Sequence, residues 1–159
     1  MKKRILAFLI SIVAGGIAGA LVVVFLFSRP LILENESRYD FGTTLTTVEQ
    51  SAKAAGWSVP AVHDLQASMA KAGEEVNQVK VFELCNPEYA VKILGGDEGR
   101  NFSCLMPYRV SVYTKSDGKT YISRLNVPKL YGDMPNNVKS AMKSAYRDME
   151  DILSGIVMK

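Results

Sequence analysis

Lys2-Lys3-Arg4 opens the chain and is followed by a stretch from Ile5 to Phe27 that holds no charged residue. At roughly 1.5 Å of rise per residue, a helix over that stretch covers about 34 Å, enough for a hydrocarbon core of about 30 Å with modest tilt. The sequence therefore divides into a cytoplasmic terminus at residues 1–4, a transmembrane helix at 5–27, a tether at 28–37 and a folded domain at 38–155. Three basic residues precede the span, whereas only Arg29 follows it closely, with Glu34 and Glu36 beyond. By the positive-inside rule the N-terminus lies in the cytoplasm and the domain outside a bacterial inner membrane. A cleaved signal peptide is the competing reading, suggested by Ala18-Gly19-Ala20. The apolar run continues from Leu21 to Phe27 past those residues, longer than the roughly 7–15 residues a signal peptide uses, which favours an uncleaved anchor. Gly15 and Gly19 form a GxxxG pair, a pattern through which such a helix packs closely against other membrane helices.

The net charge of +3 invites a nucleic-acid reading that its distribution removes. Lys2, Lys3, Arg4 and Arg29 lie around the span; with those four set aside, the remaining 15 basic residues face 16 acidic ones. The excess belongs to the anchor's flanks, and no basic block interleaved with aromatics appears. About 130 residues remain after the span, enough for one domain with a core of its own.

Periodicity predicts the elements of that domain. Arg38–Phe41 reads as a short strand. Leu45, Val48, Ala52 and Ala55 recur at helical spacing, with a start at Thr43, Thr44 or a Thr46–Glu49 capping box and a stop at Gly56. Trp57, Val59 and Ala61 alternate, with Pro60 marking an edge strand. Asp64 caps a short surface helix that ends at Gly73. Val76–Leu84 is a strand. Asn86-Pro87-Glu88 is the strongest helix start in the chain, and Gly95-Gly96 ends that helix. Cys104 to Tyr113 alternates as one long strand, Asp117-Gly118 turns it into a hairpin partner at Thr120–Asn126, and Val138, Met142, Ala145, Met149, Ile152 and Leu153 form the stripe of a last helix. The order favours an α+β domain with a mostly antiparallel sheet and short inserted helices.

Chemistry-bearing residues are sparse: one histidine, His63, and two cysteines, Cys85 and Cys104. Outside the cytoplasm the cysteines can persist as a disulfide. If their strands are antiparallel neighbours, the end of one lies beside the start of the other, within the roughly 4.4–6.8 Å that a bridge needs between Cα atoms. Two other readings stay open: buried inert thiols, or a thiolate and imidazole set of Cys85, Cys104 and His63 suited to zinc or copper(I). Glu83 is the acid of most interest, and an ion pair with Arg109 across the sheet accounts for it without catalysis.

Val81-Phe-Glu-Leu-Cys-Asn-Pro87 followed by Leu105-Met-Pro-Tyr-Arg-Val110 resembles the paired signature of the DUF302 family. Asp40-Phe41, Thr44, Gly56-Trp57, Val62-His-Asp-Leu65 and Asp117-Gly118-Lys119 extend the resemblance over residues 38–154. It implies a TBP-like β-α-β(4)-α domain that forms dimers, with no established activity. The family often carries Met-Pro-Cys-Arg where this chain has Met106-Pro107-Tyr108-Arg109, which leaves Cys104 as the candidate replacement thiol.

These readings combine into a membrane-anchored, extracytoplasmic binding module that self-associates. Its groove is expected near Cys85, Cys104 and Tyr108, with Glu83 and Arg109 beside it. A thiol or metal redox protein using Cys85 and Cys104 is the alternative from a different class.

Overall fold

Alternation of side chains across five strands decides the layering of the domain. In the computed structural model, which describes residues 15, 16, 19 and 30–158, the strands are β1 (Ile32–Glu36), β2 (Ser58–Asp64), β3 (Val79–Cys85), β4 (Tyr108–Thr114) and β5 (Thr120–Leu125). They pair in the order β1-β5-β4-β3-β2, and every pair is antiparallel. Phe82 and Leu84 of β3, Val110 and Val112 of β4 and Ile122 of β5 are buried on one face. Against that face pack α1 (Phe41–Ala54), α3 (Pro87–Leu94) and α5 (Asn136–Ser154). The apolar stripe of α5 expected from spacing is the stripe observed: Val138, Met142, Ala145, Met149, Ile152 and Leu153 are all buried. Two shorter helices, α2 (Leu65–Lys71) and α4 (Asp97–Arg100), are inserted between strands.

Several boundaries fall where the caps place them. Asp64 accepts from the Ala67 amide and starts α2, and Asn86 accepts from the Glu88 amide and starts α3. Pro60 sits on β2, the edge strand, where a missing N–H leaves no ladder bond unmade; pairing there is irregular between Ser58 and Ala61.

Two expectations are corrected. The first strand is Ile32–Glu36, inside the segment read as a tether, and not Arg38–Phe41. Leu33 and Asn35 point toward the helices' side of the sheet while Ile32, Glu34 and Glu36 alternate with them, and the two glutamates pair with Lys115 and Lys119 of the β4–β5 hairpin. Asp40 is instead the N-cap of α1, its carboxylate accepting the Thr43 amide at 2.9 Å. The second correction concerns the long strand. Asn101–Leu105 is a 3-10 helix, and β4 begins at Tyr108, directly after Pro107, which has no N–H to give to a ladder.

The chain divides into two units, Met1–Pro30 and Leu31–Lys159. The apolar run 5–27 lies outside the described residues apart from Gly15, Gly16 and Gly19. Among the described residues no helix is long and apolar enough to cross a membrane.

Candidate functional site

With the helices on one side, the opposite face of the sheet is left without a covering layer. Its residues follow from register: Val81, Glu83, Ser111, Arg109, Tyr113, Ser123, Tyr121, Leu125, Glu34 and Ile32 come from paired positions on β3, β4, β5 and β1. One half of this face is filled by its own side chains. Tyr113 and Tyr121 stack with ring centres 6.2 Å apart, and Lys115 Nζ lies 4.0 Å from the Tyr121 ring centre. The Tyr113 hydroxyl donates to Glu34, which also accepts from Lys115 at 2.7 Å. Burial, with the Glu34 carboxylate beside it, pushes the Tyr113 phenol up to about 12, so its proton stays on and keeps donating.

The other half is a groove of about 290 Å³. Ser111 and Ser123, directly paired across β4 and β5, line it together with Leu125 and Ile32, and Arg109 stands beside them. Cys104, Leu105 and Pro107 supply a wall from the 3-10 segment. That segment is seated by a glycine: Gly99 is buried where a Cβ would fall on the carbonyl oxygen of Ile93 and within 3.2 Å of Val138 Cγ2. The inserted stretch between α3 and β4 can therefore approach the helical layer closely enough to place Leu105 against the core.

Arg109 belongs to a three-strand cluster. Glu83 Oε1 accepts from His63 Nε2 at 3.0 Å and from Arg109 Nη2 at 3.2 Å, linking β2, β3 and β4. The Glu83 side chain is only 16% exposed. Its carboxyl is held below the usual range, first by the hydrogen bond from His63, against burial that raises it, and then by Arg109. The pairing of Glu83 with Arg109 expected from the sequence is thus present, with His63 as an additional donor.

The five residues read as a pocket are partly brought together. Cys104, Tyr108 and Arg109 line the groove, and Glu83 joins through Arg109. Cys85 does not line it: with Trp57 and Tyr89 it borders an adjoining cavity of about 30 Å³, which shares Leu105, Pro107, Tyr108 and Met142 with the groove. Tyr108 turns into the core, its hydroxyl donating to the Leu125 carbonyl at 3.3 Å, and burial raises its pKa further above the ordinary phenol value. Both cysteines are free thiols, Cys104 exposed and Cys85 half-buried. β3 and β4 are antiparallel neighbours as the bridge required, but β4 begins only at Tyr108, and Cys104 lies before it in the 3-10 segment, where its thiol donates to the Asn101 carbonyl at 3.3 Å. His63 stands opposite Val81 and Ser58 opposite Cys85, so the imidazole's level on the sheet is about 13 Å from the Cys85 thiol's at roughly 3.3 Å per residue. Among the described residues no group of three or more His, Cys, Asp or Glu is arranged to hold a metal ion.

Groove residues that the sequence reading passes over are Ile32, Ser111, Ser123, Arg124, Leu125 and Val127. The signal was available for Ser111 and Ser123, which take the polar positions of alternating strands. It was not available for Ile32, whose strand carries two outward glutamates and reads as a polar linker.

A one-sided antiparallel sheet, backed by three main helices and grooved on its open face, defines a two-layer α+β domain. Residues 33–156 match the family DUF302, described as a domain of unknown function, and the chain belongs to that family. A solved structure described as an uncharacterized conserved DUF302 protein from Bacillus stearothermophilus is similar in fold, with a TM-score of 0.71 and 19% identity. That likeness covers 80% of this chain and 98% of the other. No curated protein matches.

Proposed function

We propose that this chain is a binding and interaction module, anchored in a bacterial inner membrane by residues 5–27, with its DUF302 domain outside the cytoplasm and its grooved sheet face as the working surface. The observation that carries the reading is the groove itself. It is a concave, largely apolar site of the small-ligand kind, with a guanidinium and two hydroxyls beside it; it opens on the sheet face that the helices leave bare and reaches inward to Tyr108, Val127 and Met142 of the core. The anchor rests on the length and charge flanks of the apolar run. Self-association follows from the family resemblance, and Gly15 and Gly19 offer a second contact with membrane partners. A thiol-pair redox site is less well supported, because Cys85 and Cys104 open onto different cavities.

The anchored arrangement predicts that alkaline carbonate leaves the full chain in the membrane pellet. It also predicts that protease added to intact spheroplasts removes the DUF302 domain. A chain released by carbonate, or one digested only after the membrane is opened, contradicts the arrangement.

A further inference from the structure

We infer that the open-face groove binds a medium-chain carboxylic acid, with the carboxylate at Arg109 and a single alkyl chain laid along the groove. The inference deepens the reading of this face as a binding surface and rests on it. Apolar side chains dominate the groove: Ile32, Leu105, Pro107, Leu125, Val127 and Met142 all border it. Such walls favour hydrocarbon over a polar ligand, since each buried methylene contributes about 0.8 kcal/mol. A volume of about 290 Å³ is at the small end of ligand sites, which span roughly 300–1,000 Å³. One chain suits that space better than the two chains of a bilayer phospholipid.

Charge selects the head group. Two arginines border the groove, and they are differently committed. Arg124 is clamped by both carboxylate oxygens of Glu150, at 2.7 and 2.6 Å, and by Asn35 at 2.8 Å. Arg109 is 67% exposed and gives one Nη2 contact, at 3.2 Å, to a Glu83 oxygen that His63 also engages. A guanidinium offers five N–H donors in a planar fork suited to a carboxylate, and most of those on Arg109 remain for a ligand. Glu83 is the acid that faces it, and its charge is already shared by two bases. The Ser111 hydroxyl lies beside the same mouth and can donate to a second carboxylate oxygen, while that of Ser123 is engaged by Tyr113.

Cys104, exposed at the rim, supplies the reporter, and Cys85, which borders the adjoining cavity but not the groove, supplies the internal reference. The full chain is reconstituted in phosphatidylcholine nanodiscs and treated with iodoacetamide, and alkylation of each cysteine is followed by peptide mass spectrometry. At a decanoate concentration about ten times its Kd, alkylation of Cys104 is expected to slow by about tenfold, while Cys85 is unaffected. Decanol and acetate leave Cys104 unprotected. Arg109→Gln abolishes protection by decanoate, and Ser123→Phe, which fills the groove, does the same, each in a chain whose unfolding midpoint stays well above the assay temperature. No protection by decanoate, or undiminished protection in Arg109→Gln, overturns the inference. Equal protection by decanol also overturns it, while leaving the groove as a binding surface. None of these outcomes alters the carbonate and protease results, so failure of the ligand class is separable from failure of the anchor.

Discussion

Replacing Phe82 by alanine is expected to lower the unfolding free energy of the domain by about 3–5 kcal/mol. Phe82 lies on β3 between β2 and β4, opposite Val62 and Val110, and only 2% of it is exposed. Its ring faces the helical layer, where the rest of the core closes around it. Removing the ring takes away its burial and leaves a cavity that a sheet paired on both sides cannot collapse to fill. The same substitution at Val91, 65% exposed, would change little. Guanidinium titration of the full chain in detergent, followed by the fluorescence of Trp57, measures the effect. Trp57 is the chain's single tryptophan and is 4% exposed, so it reports directly on the opening of this core. A loss below about 1 kcal/mol would place Phe82 outside the close-packed centre described here.

Arg124→Ala is expected to destabilise the domain by about 2–3 kcal/mol, for a different reason. The Arg124 side chain is 4% exposed and forks onto both oxygens of Glu150, while its remaining amino group reaches Asn35. One side chain thereby ties β5 to α5 and to β1. Truncation leaves a carboxylate without its partner beneath the sheet, the situation in which a buried pair shows its largest effect. Glu150 retains 31% exposure, so water recovers part of the loss and the expected value falls below the roughly 3–5 kcal/mol of a fully buried pair. The double variant Arg124→Met/Glu150→Met should regain most of the stability, because apolar replacement of both partners removes the stranded charge. Equal destabilisation by the single and double variants would mean that the arginine acts through its packing rather than through its charge.

Much of the fold was legible because local signals agreed with the tertiary arrangement. The α5 stripe, the Asn86 and Asp64 caps, the Asp117-Gly118 turn and the edge position of Pro60 each follow from a single physical rule and each is present. The failures share a cause as well. In β1 the alternation is real, but its outward positions carry Glu34 and Glu36, whose partners Lys115 and Lys119 are some 80 residues away in sequence. Without those partners the strand looks like a linker. At Cys104 the alternation is coincidental: Cys104, Met106 and Tyr108 have the spacing of a strand, yet Pro107 interrupts the ladder and the preceding residues turn as a 3-10 helix. The turn sets the Cys104 thiol at the groove's rim and not on the sheet.

The site was legible in part for the same reason. The pairing of Glu83 with Arg109 needs only neighbouring antiparallel strands, which periodicity supplies. The groove needs the bare face of a sheet and a wall from an inserted segment, and both depend on where the helices pack. His63 shows the limit most plainly. In the sequence alone it suggests a third metal ligand, whereas the register of β2 against β3 delivers it to Glu83.

The central claim, that the grooved face of the sheet is the binding surface, is tested most directly by amide chemical-shift mapping of the isotopically labelled full chain in nanodiscs during titration with decanoate. The account predicts shifts concentrated at Cys104, Leu105, Arg109, Ser111, Ser123 and Leu125, with Lys92, Asn137 and Ser144 on the helical side unmoved. Shifts centred on those helical residues, or none at saturating decanoate, would contradict it.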